Sequence, residues 1–154
     1  MTVYLVRHAR AGSRRAWQGE DDLRPLSRSG HQQAERIADA LVAAGGGQRV
    51  ISSPYVRCRQ TVDPIAQRLR LPLELSDALA EGAPATDTMR LIDKVLTEDA
   101  TVLCTHGDVV ENILHELALH GVPLDDDRLD KASVWVLDAK DGEIVGGHYV
   151  PPPD

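Results

Sequence analysis

Short apolar runs along the chain alternate with longer stretches whose apolar positions recur every three or four residues, a pattern that predicts strands alternating with helices. The first run, Val3 to Val6, reads as a buried strand, and charged residues begin directly at its C-terminal end. Proteins of the α/β class place ligands at such strand ends. Residues 9–26 are polar, rich in Arg and Asp and without period, and predict a long functional loop. Ser27 reads as a helix N-cap, Ala34, Ile37, Ala38 and Leu41 follow at helical spacing, and Gly45-Gly46-Gly47 supplies the stop.

Val50-Ile51-Ser52 reads as a second strand, and Ser53-Pro54 as an N-cap with proline at the first helical position. The helix should run to Leu69 with an apolar stripe of Tyr55, Cys58, Val62, Ile65, Ala66 and Leu69, leaving Arg57 near its start and off the stripe. A further strand is expected over Pro72–Leu75, a loop over Asp77–Ala85, and a third helix marked by Met89, Ile92, Val95 and Leu96. Thr101 to Thr105 is the clearest central strand; it ends at His106-Gly107, and Val109, Val110, Ile113, Leu114, Leu117 and Ala118 then form a helical face. Ser133–Leu137 and Glu143–Val150, joined through Asp141-Gly142, predict a hairpin, and Pro151 to Asp154 an extended, frayed tail. These elements imply an α/β fold, a three-layer α/β/α sandwich with a mostly parallel central sheet, over residues 1–150.

Composition narrows the function classes. With 154 residues, 42% of them hydrophobic and 27% charged, the chain suits one globular domain with a sizeable core. A net charge of -7 disfavours general nucleic-acid binding, although Arg residues can still gather in one cleft. The apolar run before Arg7 is too short for a signal peptide or a membrane span, so a cytoplasmic protein without membrane partners is expected. Cys58 and Cys104 form no CxxC pair and read as reduced, buried thiols rather than as a zinc or redox site.

His8 and His106 lie far apart in sequence, yet each directly follows a predicted buried strand. In a parallel sheet those ends share one edge, which sets two imidazoles in one crevice with Arg7 beside the first and a helix N-terminus after the second. Arg57 adds a second guanidinium, and such a pocket suits a phosphoryl group because Arg donors match phosphate oxygens in a bidentate manner. Each residue alone is better read as an ordinary strand-end His or a solvated Arg; their combination changes the weighting. His115 and His120 in His115-Glu116-Leu117-Ala118-Leu119-His120 are five apart, about 140° askew on a helix, and do not make a zinc-protease motif. Gly45-Gly46-Gly47 lacks the Gly-Lys-Ser/Thr continuation of a phosphate loop.

Arg7-His8-Ala9, Ser53-Pro54-Tyr55-Val56-Arg57-Cys58-Arg59-Gln60-Thr61 and Thr105-His106-Gly107, in that order, resemble the motifs of the histidine phosphatase superfamily, and specifically its small SixA-type members with a phosphoglycerate-mutase-like fold. Arg24-Pro25-Leu26 through Gly30, leading into Gln33-Ala34-Glu35, is similar to the SixA-type connection. The resemblance implies a metal-independent, cofactor-free phosphatase in which His8 attacks phosphorus while Arg7, Arg57 and His106 bind the phosphoryl group and water then hydrolyses phospho-His8. Its partners would be a phosphorylated small molecule or a phosphohistidine protein. The family also implies a carboxylate for proton transfer, at Glu81 in Leu79-Ala80-Glu81-Gly82; its presence tilts the substrate toward P–O bonds, because an imidazole leaves a phosphoramidate without an acid.

Ala9 stands where the superfamily usually has glycine, which implies altered loop geometry rather than loss of activity. The Arg-rich stretch from Arg7 to Arg14, continued by Asp21-Asp22 and Arg24, also looks like the phosphatase half of two-domain MutT-class hydrolases, although no Nudix box is present. Arg14 and Arg24 are candidate substrate contacts by their nearness to the nucleophile. A non-catalytic phosphate-binding regulatory module on the same fold is the alternative function, and a phosphoglycerate mutase is disfavoured by chain length.

Overall fold

The computed structural model describes residues 1–98 and 100–153. Its elements follow one another as β1 (Thr2–Arg7), α1 (Arg28–Ala43), β2 (Arg49–Ser52), α2 (Val56–Leu69), β3 (Leu73–Leu75), α3 (Ala85–Val95), β4 (Thr101–Thr105), α4 (Gly107–Leu119), β5 (Val134–Lys140) and β6 (Glu143–Val150), with short 3₁₀ turns at Asp21–Leu23 and Asp77–Leu79. The sheet runs β3-β2-β4-β1-β5-β6. The first four strands in that order pair in parallel, and β5 and β6 are added antiparallel at one edge. The α/β class and mostly parallel sheet match the sequence expectation.

Both faces of the sheet are covered, which is why β4 is apolar or buried at every position rather than alternating. On one face Val6, Val50, Val102 and Cys104 pack against Ala34, Ile37, Ala38 and Leu41 of α1 and Cys58, Val62, Ile65 and Ala66 of α2. On the other, Val3, Leu5, Ile51 and Leu103 pack against Ile92 and Val95 of α3 and Val109, Val110 and Ile113 of α4. Each such aliphatic side chain contributes about 1.5–3 kcal/mol on burial. The chain leaves β1 for one face and β4 for the other although these strands are neighbours, so a crevice opens between their C-terminal ends.

Ser27 caps α1 as expected, accepting a hydrogen bond from the Gly30 amide at 3.1 Å. Beyond α1, the Gly46 amide donates to Leu41 at 2.8 Å and Gly45 adopts φ +82°, so the glycine run ends the helix. The start of α2 differs from the expectation: it begins at Val56, and Ser53 and Pro54 lie outside it. Ser53 extends the β2 pairing instead, its amide donating to Cys104 at 2.9 Å, and Tyr55, with extended dihedrals, takes the N-cap position. The tail also differs, since Pro152 and Pro153 are half-buried rather than frayed; Asp154 lies outside the described residues. No helix among the described residues is long and apolar enough to cross a membrane.

The loop after β1 is tied to α1 through Arg10. Its amide donates to Gln33 Oε1 at 3.1 Å, and its carbonyl accepts from the Ser27 amide at 2.9 Å and hydroxyl at 3.1 Å. A Cβ on Gly30 would stand 1.9 Å from that carbonyl, so only glycine permits the approach. Gly30→Ala is expected to cost about 2–3 kcal/mol in urea unfolding. At Gly12, in the same loop, a Cβ would meet nothing within 4 Å, and Gly12→Ala should stay within about 0.5 kcal/mol of wild type. Equal losses at the two positions would contradict this account of the loop's anchorage.

Candidate active site

The register of β1 against β4 sets Arg7 opposite Thr105, and the His8 amide donates to the Thr105 carbonyl at 3.0 Å. His8 and His106 are consequently the next residues on two adjacent strands, with ring centroids 5.4 Å apart and near edge-to-face. His8 is 5% exposed and His106 1% exposed. The expected pair therefore meets at the crevice where the helices part to opposite faces.

His8 Nδ1 lies 2.8 Å from the carbonyl of Ala9, and only a protonated ring nitrogen can satisfy that oxygen. The lone pair is then on Nε2. The His8 pKa is lowered to about 3, chiefly by burial; the Ala9 carbonyl works the other way, and the charges of His106, Arg57 and Arg7 add to the lowering. The imidazole is neutral at pH 7, the form a nucleophile needs. Ala9 itself is buried and its φ is not positive, while its amide donates to Thr61 Oγ1 at 3.0 Å, so alanine fits here without altering the backbone region the loop uses. Thr61 in turn donates to the Arg57 carbonyl at 2.7 Å, which links the turn at His8 to the first turn of α2.

His106 is oriented from behind. Ser53 Oγ accepts from the Tyr55 amide at 3.2 Å and stands 2.9 Å from His106 Nε2, which fixes the ring and leaves Nδ1 as its unpartnered nitrogen. Cys58 Sγ lies 3.5 Å from the same Nε2, and the Tyr55 ring meets the imidazole at 4.7 Å between centroids. Cys58 and Cys104 are both free and buried, as expected. Ser53 is a positioning residue that its sequence reading as a helix cap concealed.

The two arginines approach from different elements. Arg7 donates from Nη1 to the Leu129 carbonyl at 2.8 Å, and its Cζ would lie 2.8 Å from a Cβ on Gly107, so the first residue of α4 must be glycine for the guanidinium to lie there. Arg57 is fully buried despite its expected place off the apolar stripe, because it is covered by the loop after β1. Its Nη1 donates to the Asp21 carbonyl at 2.8 Å, its Nη2 to Asp21 Oδ2 at 3.1 Å, and its Cζ sits 4.9 Å over the Tyr55 ring. Among the described residues four buried side-chain polar atoms have no hydrogen-bond partner, and three of them are Arg7 Nε, Arg57 Nε and His106 Nδ1. Unpaired buried polar atoms are costly, and three beside one neutral His, two of them guanidinium donors, describe a place for an anion.

Glu81 joins this group. Its Oε1 lies 3.5 Å from Arg57 Nη2 and 3.4 Å from Arg14 Nη2, and its loop is held by the Gly82 amide donating to Asp108 Oδ2 at 2.8 Å and Thr105 Oγ1 donating to Leu79 at 2.6 Å. Arg14 is exposed on the rim. Arg24 is buried, with Nη1 donating to Gly12 at 2.7 Å and Nε to Asp21 Oδ1 at 3.1 Å, so its donors brace the loop. Asp21 thus gathers Arg24 and Arg57, with Arg14 Nε at 3.6 Å. Burial works to raise its pKa, but hydrogen bonds from Arg24 and Arg57 bring it below the usual carboxylate value. The only sequence signal for Asp21 was an acidic pair inside an Arg-rich loop. Among the described residues no group of three or more His, Cys, Asp or Glu side chains is placed to hold a metal ion.

Residues 3–84 match the family model of the histidine phosphatase superfamily, branch 1. An 8-oxo-(d)GTP phosphatase of Mycolicibacterium smegmatis is 36% identical over 160 residues, taking in 99% of this chain and 49% of that protein. The chain therefore spans about half the length of that relative. Among solved structures, the protein histidine phosphatase SixA complexed with tungstate has a TM-score of 0.77 at 19% identity, covering 97% of this chain and 94% of that one. A mycobacterial glucosyl-3-phosphoglycerate phosphatase has a TM-score of 0.71 at 17% identity, covering 97% and 96%. These two likenesses are of fold, and they agree with the α/β/α architecture described above.

The buried neutral His8 has a signature in stability. Its pKa is about 3 in the folded chain against 6.5 ordinarily, so between those pH values the unfolded chain binds a proton that the folded chain does not. His8 costs no stability above pH 6.5, and stability falls as pH drops from there toward 3. Urea unfolding of wild type and His8→Gln at several pH values should show a shallower acid loss in the variant, by up to about 1.4 kcal/mol per pH unit. Parallel pH profiles would show that His8 is not held neutral by burial.

Proposed function

Because the chain belongs to the histidine phosphatase superfamily, branch 1, we propose that it is a phosphatase working through a phospho-His8 intermediate. The observation that carries this reading is the neutral His8, with its Nε2 lone pair free, among three unpartnered buried nitrogens of Arg7, Arg57 and His106. In the first step His8 Nε2 forms a bond to phosphorus as the bond to the leaving group breaks, and Glu81 gives the leaving atom a proton. In the second, water gives that proton back to Glu81 and attacks phosphorus; the N–P bond breaks and releases inorganic phosphate and neutral His8. Arg7, Arg57 and His106 neutralise charge on the equatorial oxygens throughout, so no metal is needed.

Asp21 and Glu81 share Arg57 in the unliganded site, and a phosphoryl group competes with them for its donors. Arg14 acts on the rim beside Glu81, and Arg24 acts through Asp21 by bracing the loop that covers Arg57. The substrate is a phosphorylated small molecule, including nucleotides, or a phosphohistidine protein, and the reaction takes place in the cytoplasm. The nucleotide class is supported by the relative from Mycolicibacterium smegmatis and the phosphohistidine class by the fold likeness to SixA.

His8→Ala should lower kcat/KM by more than about 10⁴-fold on any substrate the wild type hydrolyses, with wild-type turnover insensitive to a chelator. Glu81→Gln should lower kcat by about 10²- to 10⁴-fold on an alkyl phosphate but by less than about tenfold on a phosphoramidate, whose leaving group needs less help. Full activity of His8→Ala would overturn the mechanism. Silence of the wild type across phosphoesters and a phosphoramidate, with orthophosphate still bound, would identify a non-catalytic phosphate-binding module instead.

A further inference from the structure

A cleft of about 790 Å³ lies beside the phosphoryl pocket and shares Arg7 with it. Its volume falls within the range of about 300–1,000 Å³ usual for small-molecule sites. Arg7, Arg10, Lys131 and Asp130 bring charge to its walls, and Ser27 and Ser29 bring hydroxyls from the start of α1. Three cations face one carboxylate, in a protein whose net charge is -7. Asp130 is already engaged, accepting from the Tyr149 hydroxyl at 3.1 Å.

Arg10 is anchored in backbone and free in side chain. Its amide and carbonyl are fixed by Gln33, by Ser27 and by the close approach of Gly30, whereas its exposed guanidinium makes no ion pair among the described residues. Such an arrangement presents a cation at a set place beside the nucleophile turn. Lys131 is likewise exposed and without an ion pair among the described residues. Burial lowers its pKa, and repulsion from Arg7, Arg24, Arg14 and Arg57 lowers it further, which puts its ammonium within the field of the phosphoryl pocket.

We propose that this cleft is a second anion subsite, which holds a further phosphate group of the substrate through Arg10 and Lys131. It rests on the phosphatase reading, and it narrows the substrate class to compounds with at least two phosphate groups, joined directly or through a short linker. Arg7 spans the two subsites and couples the position of the second group to that of the phosphoryl under attack.

Binding separates this inference from the catalytic one. Calorimetric titration of His8→Ala protein, which cannot form the covalent intermediate, compares inorganic tripolyphosphate with orthophosphate. Tripolyphosphate should bind about 10- to 30-fold more tightly, as expected of two further exposed cations. In the same background Arg10→Ala/Lys131→Ala should bring that ratio down to about twofold or less. Both side chains are exposed, so the fold is retained. Arg59→Ala/Lys140→Ala removes the same charge elsewhere and should leave the ratio above about tenfold. The proposal is overturned by a ratio near one in the His8→Ala protein, by a ratio indifferent to the Arg10/Lys131 pair, or by an equal fall with the distant pair. Failure of the phosphatase reading would show separately, as hydrolysis that does not depend on His8.

Discussion

The parallel pairing of β1 with β4, in the register that sets Arg7 opposite Thr105, is the contact on which the site depends. It makes His8 and His106 neighbours although nearly the whole of three α/β units separates them in sequence. A slip of one residue would turn every side chain of β1 to the opposite face, exchanging Val3 and Leu5 for Tyr4 and Val6 in the two cores. The hydrophobic cores therefore hold the register that makes His8 and His106 neighbours. The opposite departures of α1 and α4 then open the crevice at the same strand ends.

Burial governs the chemistry of that crevice. Taking an imidazole out of water favours its neutral form, and the neighbouring guanidiniums add to this by repulsion. The same guanidiniums must themselves be balanced while no anion is bound, and Asp21 and Glu81 supply that balance at Arg57. These carboxylates come from the segments after β1 and after β3 rather than from the sheet itself. Behind the pocket, Ser53 and Thr61 fix His106 and the turn at His8 through single hydrogen bonds to ring and backbone.

Much of this was legible in the sequence. β1, β4 and the faces of α1 and α4 follow from local periodicity, and His8, Arg7, Arg57 and His106 from residues placed at strand and helix ends. The strand order was not, because β2 enters between β3 and β4 through pairings distant in sequence. Ser53 was read as a cap because Ser-Pro is a common helix start, whereas the Cys104 carbonyl captures its amide and His106 its hydroxyl. Arg57 was placed off the stripe correctly for a helix wheel, yet its burial comes from a loop that no wheel contains. Asp21 and the bracing of Arg24 were hidden for the same reason: a loop without period announces its composition but not its contacts.

A covalent bond to His8 Nε2 is the central claim, and trapping it is the direct measurement. Wild-type protein turning over a phosphate compound is quenched in alkali, where phosphohistidine survives, and digested, and the peptide carrying His8 is sequenced by mass spectrometry. The account predicts a phosphoryl group on His8 that is lost in acid and absent from a His8→Ala sample. Steady turnover with no phosphorylated His8, or with the label on another residue, would contradict it.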